Sequence, residues 1–303
     1  MKEKQLVAFV CLAGFFITIS ITPFIYFMKD GGKINNIAEA SAISTIKKED
    51  NIFKDLPVKA GAVAIYDTTT GKFIYTKNEK AQLPLASITK VMTAVSALRI
   101  AEKIKSSEQP IKFAGKWWNL LDLMKYSLVS SSNSGIASIA EAVSIIKNKK
   151  DDSFYKLDFI GEMNIIAKEL KLPSVFFLNE TGLDVNERTG GAYGSAKDIS
   201  KMFSYAIQKY PDIFSATKYS EIKIKSEDGE EKISRNTNTE VDKMTMLIAS
   251  KTGTTDLAGG NLVIAFDAGI SHPIVITLLA STPEDRFKDS EILADAVIKY
   301  LSK

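Results

Sequence analysis

The pattern of apolar and polar positions divides this chain into three stretches of different character. From Gln5 to Met28 the chain carries no charge, and Phe9, Leu12, Phe16, Ile19 and Phe24 recur without a polar face. At about 1.5 Å per residue, a run of this kind spans a bilayer as one helix. Residues 1–28 are therefore expected to be a membrane anchor. A cleavable signal would have a shorter apolar region, and the tidy cleavage site Ala40-Ser41-Ala42 lies well beyond the run. Residues 29–57 then lose all periodicity. Gly31-Gly32, Asn35-Asn36 and Lys47-Lys48-Glu49-Asp50 read as a polar linker. Regular patterning returns near Val58, so 58–303 is the expected folded domain.

Within that domain the period changes twice. Ala62 to Tyr66 and Lys72 to Thr76 flank Asp67-Thr68-Thr69-Thr70-Gly71, which predicts a β-hairpin. Helical spacing follows at about 87–103, 119–128, 134–147, 153–170 and 195–209. Tyr219 to Lys225 alternates, Asp228-Gly229-Glu230 turns the chain, and a second strand follows. Leu247 to Thr252, Leu262 to Phe266 and Pro273 to Ala280 predict three late strands, before a helix from about Phe287. Strands first, helices in the middle and strands last predict an α+β fold. Its antiparallel sheet would join the first and last strands, with a helical lobe inserted between them.

Composition mainly removes alternatives. With 45% hydrophobic residues in 303, there is material for one large core. The net charge of +3 is mild and the lysines are scattered, so no nucleic-acid partner is expected. The one cysteine, Cys11, lies in the apolar run and leaves no intramolecular disulfide. A single histidine, His272, makes a Ser-His-Asp triad or a zinc site a poor fit and is expected in a turn between late strands. No glycine-rich phosphate loop is present. Neither a cofactor nor a metal is expected.

Candidate chemistry lies in three short motifs: Ser87-Ile88-Thr89-Lys90, Ser131-Ser132-Asn133 and Lys251-Thr252-Gly253. S-x-x-K alone is uninformative, because it begins at Ser44, Ser87, Ser144, Ser153, Ser215 and Ser220. Context selects Ser87, which opens the helical series Ile88, Val91, Met92, Val95 and Leu98. Lys90, three residues on, shares its face. A lysine that is partly desolvated or beside another cation loses its proton readily and can serve as the base for a serine. Lys251 can supply that second cation, and Ser131 a relay hydroxyl. K-T-G occurs once, and the alternative S-x-N at Ser234 lacks the turn between two helices.

From Val58 onward the chain resembles the serine D-alanyl-D-alanine carboxypeptidases, the low-molecular-mass penicillin-binding proteins of the β-lactamase/transpeptidase-like superfamily. Pro84 to Ala94 resembles the nucleophile segment, and Leu123-Met124 with Ser131 to Asn133 the second. Asn179 to Asp184, Ser195 to Asp198, and Lys251 to Thr255 with Ala258 to Leu262 resemble further signatures. The resemblance implies an acyl-enzyme on Ser87, with Lys90 as general base and Ser131 and Lys251 completing a proton relay. It assigns Asn133 to the substrate amide and the Ser87 and Thr254 N–H groups to an oxyanion hole. Thr252 and Thr254, flanking Gly253, would hold the substrate's terminal carboxylate. The implied substrate is a peptidoglycan stem peptide, with β-lactams as covalent inhibitors. The catalytic domain would be held outside the cytoplasmic membrane. Ser132 and Ser134 replace the family's common glycine and aspartate. Two alternatives are a serine β-lactamase and a non-turnover sensor of β-lactams or cell-wall peptides. The first lacks its deacylating glutamate, since Val175 occupies the position three before Leu178-Asn179. Glu180 reads as an exposed loop carboxylate.

Overall fold

The hairpin at the start of the domain consists of β1 (Ala62–Asp67) and β2 (Lys72–Lys77). Its turn closes because Asp67 Oδ1 accepts the N–H groups of Thr69 and Thr70 at 2.9 and 3.0 Å. Gly71, at φ +70°, supplies a left-handed residue there without steric cost. The computed structural model describes residues 52–107, 109–151 and 157–303, so the expected anchor and the linker up to residue 51 lie outside it. No helix among the described residues is long and apolar enough to cross a membrane.

The helical lobe follows. A two-residue strand, β3 (Leu83–Pro84), leads through a 3₁₀ turn at Ala86–Ile88 into α1 (Thr89–Lys103). The hairpin β4 (Pro110–Phe113) and β5 (Lys116–Asn119) precedes α2 (Leu120–Val129) and α3 (Asn133–Asp151). Next come α4 (Phe159–Glu169), the short strands β6 (Phe176–Phe177) and β7 (Ala192–Gly194), α5 (Ala196–Lys209) and α6 (Pro211–Phe214). A third hairpin, β8 (Glu221–Lys225) and β9 (Glu231–Arg235), returns the chain to the sheet. β10 (Leu247–Thr255), β11 (Gly259–Asp267), β12 (Pro273–Ser281) and α7 (Asp285–Leu301) complete it.

The main sheet runs β10-β11-β12-β1-β2, antiparallel throughout, so the first and last strands pair as the α+β reading expects. Ala62 sits opposite Leu279 and Asp67 opposite Ile274. β10 is an edge strand and keeps one side free of strand pairing. Alternation along the strands splits the core in two. Ala62, Ala64, Val263, Ala265 and Val275 face the helical lobe, while Val63, Ile65, Ile264, Ile276 and Leu278 face α7. α1 is buried on nearly every side, as a helix at the centre of a lobe must be.

Several details depart from the expectation. Ser87 precedes α1 rather than opening it: it lies in the 3₁₀ turn Ala86–Ile88, which Ala86 enters at φ +49°, and the α-helix begins at Thr89. α4 starts at Phe159, where Asp158 caps the Gly161 N–H at 2.8 Å, rather than near residue 153. The β4–β5 hairpin was not anticipated, since its strands are only four residues each. β10 runs on to Thr255 because Gly253 to Thr255 stay paired with Asn261 to Gly259. Phe53, inside the stretch expected as linker, is buried and stacks on Tyr75 with ring centroids 5.1 Å apart. His272 does sit in the turn before β12, its Nε2 3.1 Å from Asp67 Oδ2.

Candidate active site

Three chain segments that are distant in sequence meet beside β10. The first is the turn carrying Ser87. Asn261 on β11 donates from Nδ2 to the carbonyls of Pro84 and Leu85, at 2.9 and 3.2 Å, and fixes the chain just before the serine. β10 approaches so closely that a Cβ on Gly253 would lie 2.7 Å from the Leu85 carbonyl oxygen and 3.2 Å from the Ser87 nitrogen. Glycine in the K-T-G motif is thus required by the close passage of two backbones. One α-helical turn past the serine, Lys90 donates from Nζ to Ser87 Oγ at 2.7 Å and to the Thr181 carbonyl at 2.7 Å.

The second segment is the turn between α2 and α3. Ser131 takes φ +54°, a second non-glycine residue in the left-handed region at this site. Such a conformation costs roughly 1–3 kcal/mol and persists only where its surroundings impose it. Here the Ser132 N–H donates to the Ser127 carbonyl at 3.0 Å, and the Ser132 hydroxyl accepts the Gly135 N–H at 3.0 Å. Ser132 therefore caps α3. Ser131 Oγ points away and accepts from Lys251 Nζ at 2.9 Å. The Asn133 side-chain oxygen, two residues on, is buried and has no hydrogen-bond partner among the described residues.

The third segment is β10 itself. Lys251 is 2% exposed and also donates to the Thr252 carbonyl at 2.9 Å. The Thr252 hydroxyl pairs with that of Thr237 at 2.6 Å. Arg286, at the start of α7, reaches through to donate from Nη1 to the Gly253 carbonyl at 2.9 Å and to Thr254 Oγ1 at 2.7 Å. The eight candidate residues Ser87, Lys90, Ser131, Asn133, Lys251, Thr252, Gly253 and Thr254 thus come from these three segments, which meet beside β10.

Burial sets the electrostatics. Lys90 has no exposed surface, and desolvation lowers its amine to about 7, with the Glu180 carboxylate pulling the other way. Lys251 is held well below the ordinary lysine range, first by burial and then by the charges of Lys90 and Arg286. A neutral amine at hydrogen-bond distance from a serine hydroxyl can take its proton near neutral pH.

Sequence reasoning missed four contributors. Arg286 and Thr237 carry no motif signal, because each reaches the site only through tertiary contact. Thr181 acts through its carbonyl, which any residue type supplies. Asn261 was noted only as part of a signature, although an asparagine buried in a strand is itself a sign of backbone recognition. Among the described residues no group of three or more His, Cys, Asp or Glu could hold a metal ion. A cavity of about 800 Å³ lies elsewhere, between α7 and the 239–247 segment, with Leu247, Ile264, Phe266 and Phe287 among its walls and no motif residue.

The fold and this cleft define a penicillin-binding, transpeptidase-like serine enzyme architecture. The model of the D-alanyl-D-alanine carboxypeptidase family, peptidase family S11, matches residues 48–119 and 104–282, and the chain belongs to that family. It is 26% identical over 256 residues to the D-alanyl-D-alanine carboxypeptidase DacF of Bacillus subtilis, covering 79% of this chain and 62% of that protein. With DacC of Escherichia coli the identity is 27% over 260 residues, covering 78% of this chain and 60% of the relative. The chain therefore spans about three fifths of the length of these relatives. Penicillin-binding protein D2 of Listeria monocytogenes, solved with ampicillin bound, superimposes with a TM-score of 0.65 at 25% identity, over 80% of this chain and 98% of that one. The Streptomyces K15 DD-transpeptidase S96A mutant shares the fold, with a TM-score of 0.63 at 21% identity, over 80% of this chain and 99% of that one.

Proposed function

We propose that the protein is a serine-type D-Ala-D-Ala carboxypeptidase that removes the terminal D-alanine of peptidoglycan stem peptides through an acyl-enzyme on Ser87. The observation that carries this reading is the 2.7 Å contact between the lowered Lys90 amine and Ser87 Oγ, beside the Lys251–Ser131 pair at 2.9 Å. Lys90 Nζ takes the hydroxyl proton as Oγ bonds to the carbonyl carbon of the penultimate D-alanine. The oxyanion that forms is received by the N–H groups of Ser87 and Thr254. The proton taken up by Lys90 is delivered by way of Ser131, which is hydrogen-bonded to Lys251, to the departing amine as the peptide bond breaks. Water then attacks the ester, its proton passing to Lys90 and from there to Ser87 Oγ as the ester bond breaks and the shortened peptide leaves.

The binding groups follow from the same geometry. The free edge of β10 accepts the substrate backbone as an added strand. Asn133 offers its unpartnered side-chain oxygen to a substrate amide N–H. Arg286 already donates to Thr254 Oγ1, which leaves that hydroxyl proton for the terminal carboxylate. The Thr237–Thr252 pair holds two hydroxyl protons for one mutual bond and has another to give. β-Lactams, which resemble the scissile peptide and are bound in the Listeria relative, acylate the same serine in this reading.

Incubating the soluble domain with a stem pentapeptide and, separately, with penicillin tests the proposal by mass spectrometry. D-Alanine release together with a penicillin adduct on Ser87 is the expected result. An adduct without D-alanine release would replace it with a sensor, and rapid loss of the adduct as hydrolysed penicillin with a β-lactamase. Two relatives carry the name D-alanyl-D-alanine endopeptidase, so a cross-linked dimer peptide belongs in the same assay.

Residues 5–28 are proposed to hold this domain on the outer side of the cytoplasmic membrane, with the following segment giving reach to the wall. The support is the uncharged run and a substrate class met outside the cytoplasm. Fractionation with N-terminal sequencing tests it, and a soluble species beginning at Ile43 would refute the anchor.

A further inference from the structure

Arg286 stands where helix electrostatics oppose a cation. It lies in the first turn of α7, at the positive end of that helix's dipole, and is only 7% exposed. Its guanidinium is turned toward the K-T-G strand. Nη1 donates to the Gly253 carbonyl at 2.9 Å, to Thr254 Oγ1 at 2.7 Å and to the Asn261 carbonyl at 3.3 Å. Cζ lies 4.7 Å from the centroid of the Phe287 ring. A residue that only filled this space would be apolar, because a buried charge is costly.

The contact with Gly253 fixes one backbone amide. Gly253 pairs with Asn261 across β10 and β11, and both carbonyls reach the same guanidinium nitrogen. The Gly253 carbonyl therefore faces β11. Across a trans peptide the Thr254 N–H points the opposite way, to the edge of β10 that has no strand beside it among the described residues. The same arginine bears on the Ser87 amide through Asn261. That asparagine holds the Pro84 and Leu85 carbonyls at 2.9 and 3.2 Å, and a Cβ on Gly253 would lie 3.2 Å from the Ser87 nitrogen. The Ser87 and Thr254 amides are thus tied to one buried cation.

We propose that Arg286 is a positioning residue for the oxyanion hole: by gripping the Gly253 carbonyl it aims the Thr254 N–H at the reacting carbonyl and strengthens it as a donor. This rests on the reading of the Ser87 and Thr254 N–H groups as that hole. A cation on the carbonyl end of an amide draws electron density from its nitrogen, and hydrogen bonds in such a chain reinforce one another. As Ser87 Oγ bonds to the substrate carbonyl carbon, the carbonyl π pair moves onto oxygen and the Ser87 proton goes to Lys90. The new negative charge meets a donor that is already aligned and polarised. The Thr254 Oγ1 contact is a separate effect. A hydroxyl that holds the carboxylate acts on bound substrate and transition state alike, so it changes binding rather than the acylation step.

The test is penicillin acylation by the full chain in Arg286→Met, which keeps a long stem without the charge, and in Arg286→Lys. The acylation rate constant should fall about 10-fold or more in Arg286→Met, short of the roughly 100- to 1,000-fold for losing a hole donor outright. The dissociation constant of the complex before acylation should change by a smaller factor, and Arg286→Lys should recover part of the rate. The infrared carbonyl stretch of the Ser87 acyl-enzyme should rise in Arg286→Met, because a weaker hole polarises that carbonyl less. Thr254→Ala lacks the hydroxyl but keeps the N–H, and should bind penicillin more weakly with the wild-type stretch. A stretch shifted equally in both variants would assign the effect to the hydroxyl and overturn the proposal. An unchanged stretch in Arg286→Met, or a loss confined to the dissociation constant, overturns it too. If Arg286→Met does not fold, Arg286→Gln gives the same comparison. A wild-type protein that forms no Ser87 adduct would refute the proposed function instead. The Thr254 amide proton, followed by NMR in threonine-labelled protein, would still judge Arg286. It should move upfield in Arg286→Met, and an unmoved resonance overturns the proposal.

Discussion

The two faces of the main sheet are built to opposite rules. Toward α7 the strands present Val63, Ile65, Ile264, Ile276 and Leu278, large and wholly apolar. Toward the helical lobe they present Ala62, Ala64, Ala249, Ala265 and Thr277 between the larger Val263, Val275 and Leu279, and α5 lies close enough for Ser200 Oγ to meet Thr277 Oγ1 at 2.8 Å. Small residues at these positions let α5 approach, and Lys90 and Lys251 are buried where the lobe meets the β10 edge, while Arg286 reaches Gly253 and Thr254 from α7. The α7 face is filled by large side chains, whereas the lobe face mixes small and large ones and carries the serine–lysine pair. The chemistry sits on the lobe side of the β10 edge, with one guanidinium supplied from α7.

The sharpest way to break this division is to act on the polar edge alone. Ser87→Ala should abolish the penicillin adduct completely, read by mass spectrometry, with circular dichroism and Tm unchanged. Lys90→Ala should slow acylation by about 100- to 10,000-fold, the range for losing a positioned base. A normal rate in either folded variant would remove the residue from its role.

On the α7 face the expectation reverses. Leu278→Ala deletes a fully buried side chain and should cost about 2–5 kcal/mol in denaturant unfolding. The acylation rate of the molecules that remain folded should not change. A parallel loss of rate would mean that the two faces are coupled.

A smaller signature is the pH dependence of stability. Lys90 is lowered from an ordinary 10.5 to about 7, so between these values the unfolded chain holds a proton that the folded one lacks. Stability should therefore rise with pH from about 7 to about 10.5, and Lys251 contributes in the same direction. In Lys90→Ala that rise should be reduced, measured by Tm across the window. The smallest effect belongs to the rim. The Lys59–Asp285 ion pair, at 3.0 Å with Lys59 65% exposed, should be removable by Lys59→Ala with no measurable change in Tm or acylation.

Much of this was legible before the coordinates. Short apolar runs marked the late strands, alternation marked β8, period-3.6 runs marked α1, α2 and α5, and three motifs marked the residues that meet beside β10. Short elements escaped because four-residue strands such as β4 and β5 carry too little pattern to separate from loop.

What the sequence determines by itself is local: which segments are strand or helix, where glycine is demanded, and which residue types are chemically able to act. Serine, lysine and their three-residue spacing are fixed covalently, so the Ser87–Lys90 contact is nearly implied once a helical turn forms there. What only the tertiary structure decides is environment. Whether Lys90 is a solvated ammonium or a base near 7 depends on the helices that bury it. Whether Arg286 stiffens the K-T-G strand depends on α7 crossing behind it. The physical reason is that desolvation and charge pairing act through space over a few ångströms, and only the folded chain sets which groups lie within that distance.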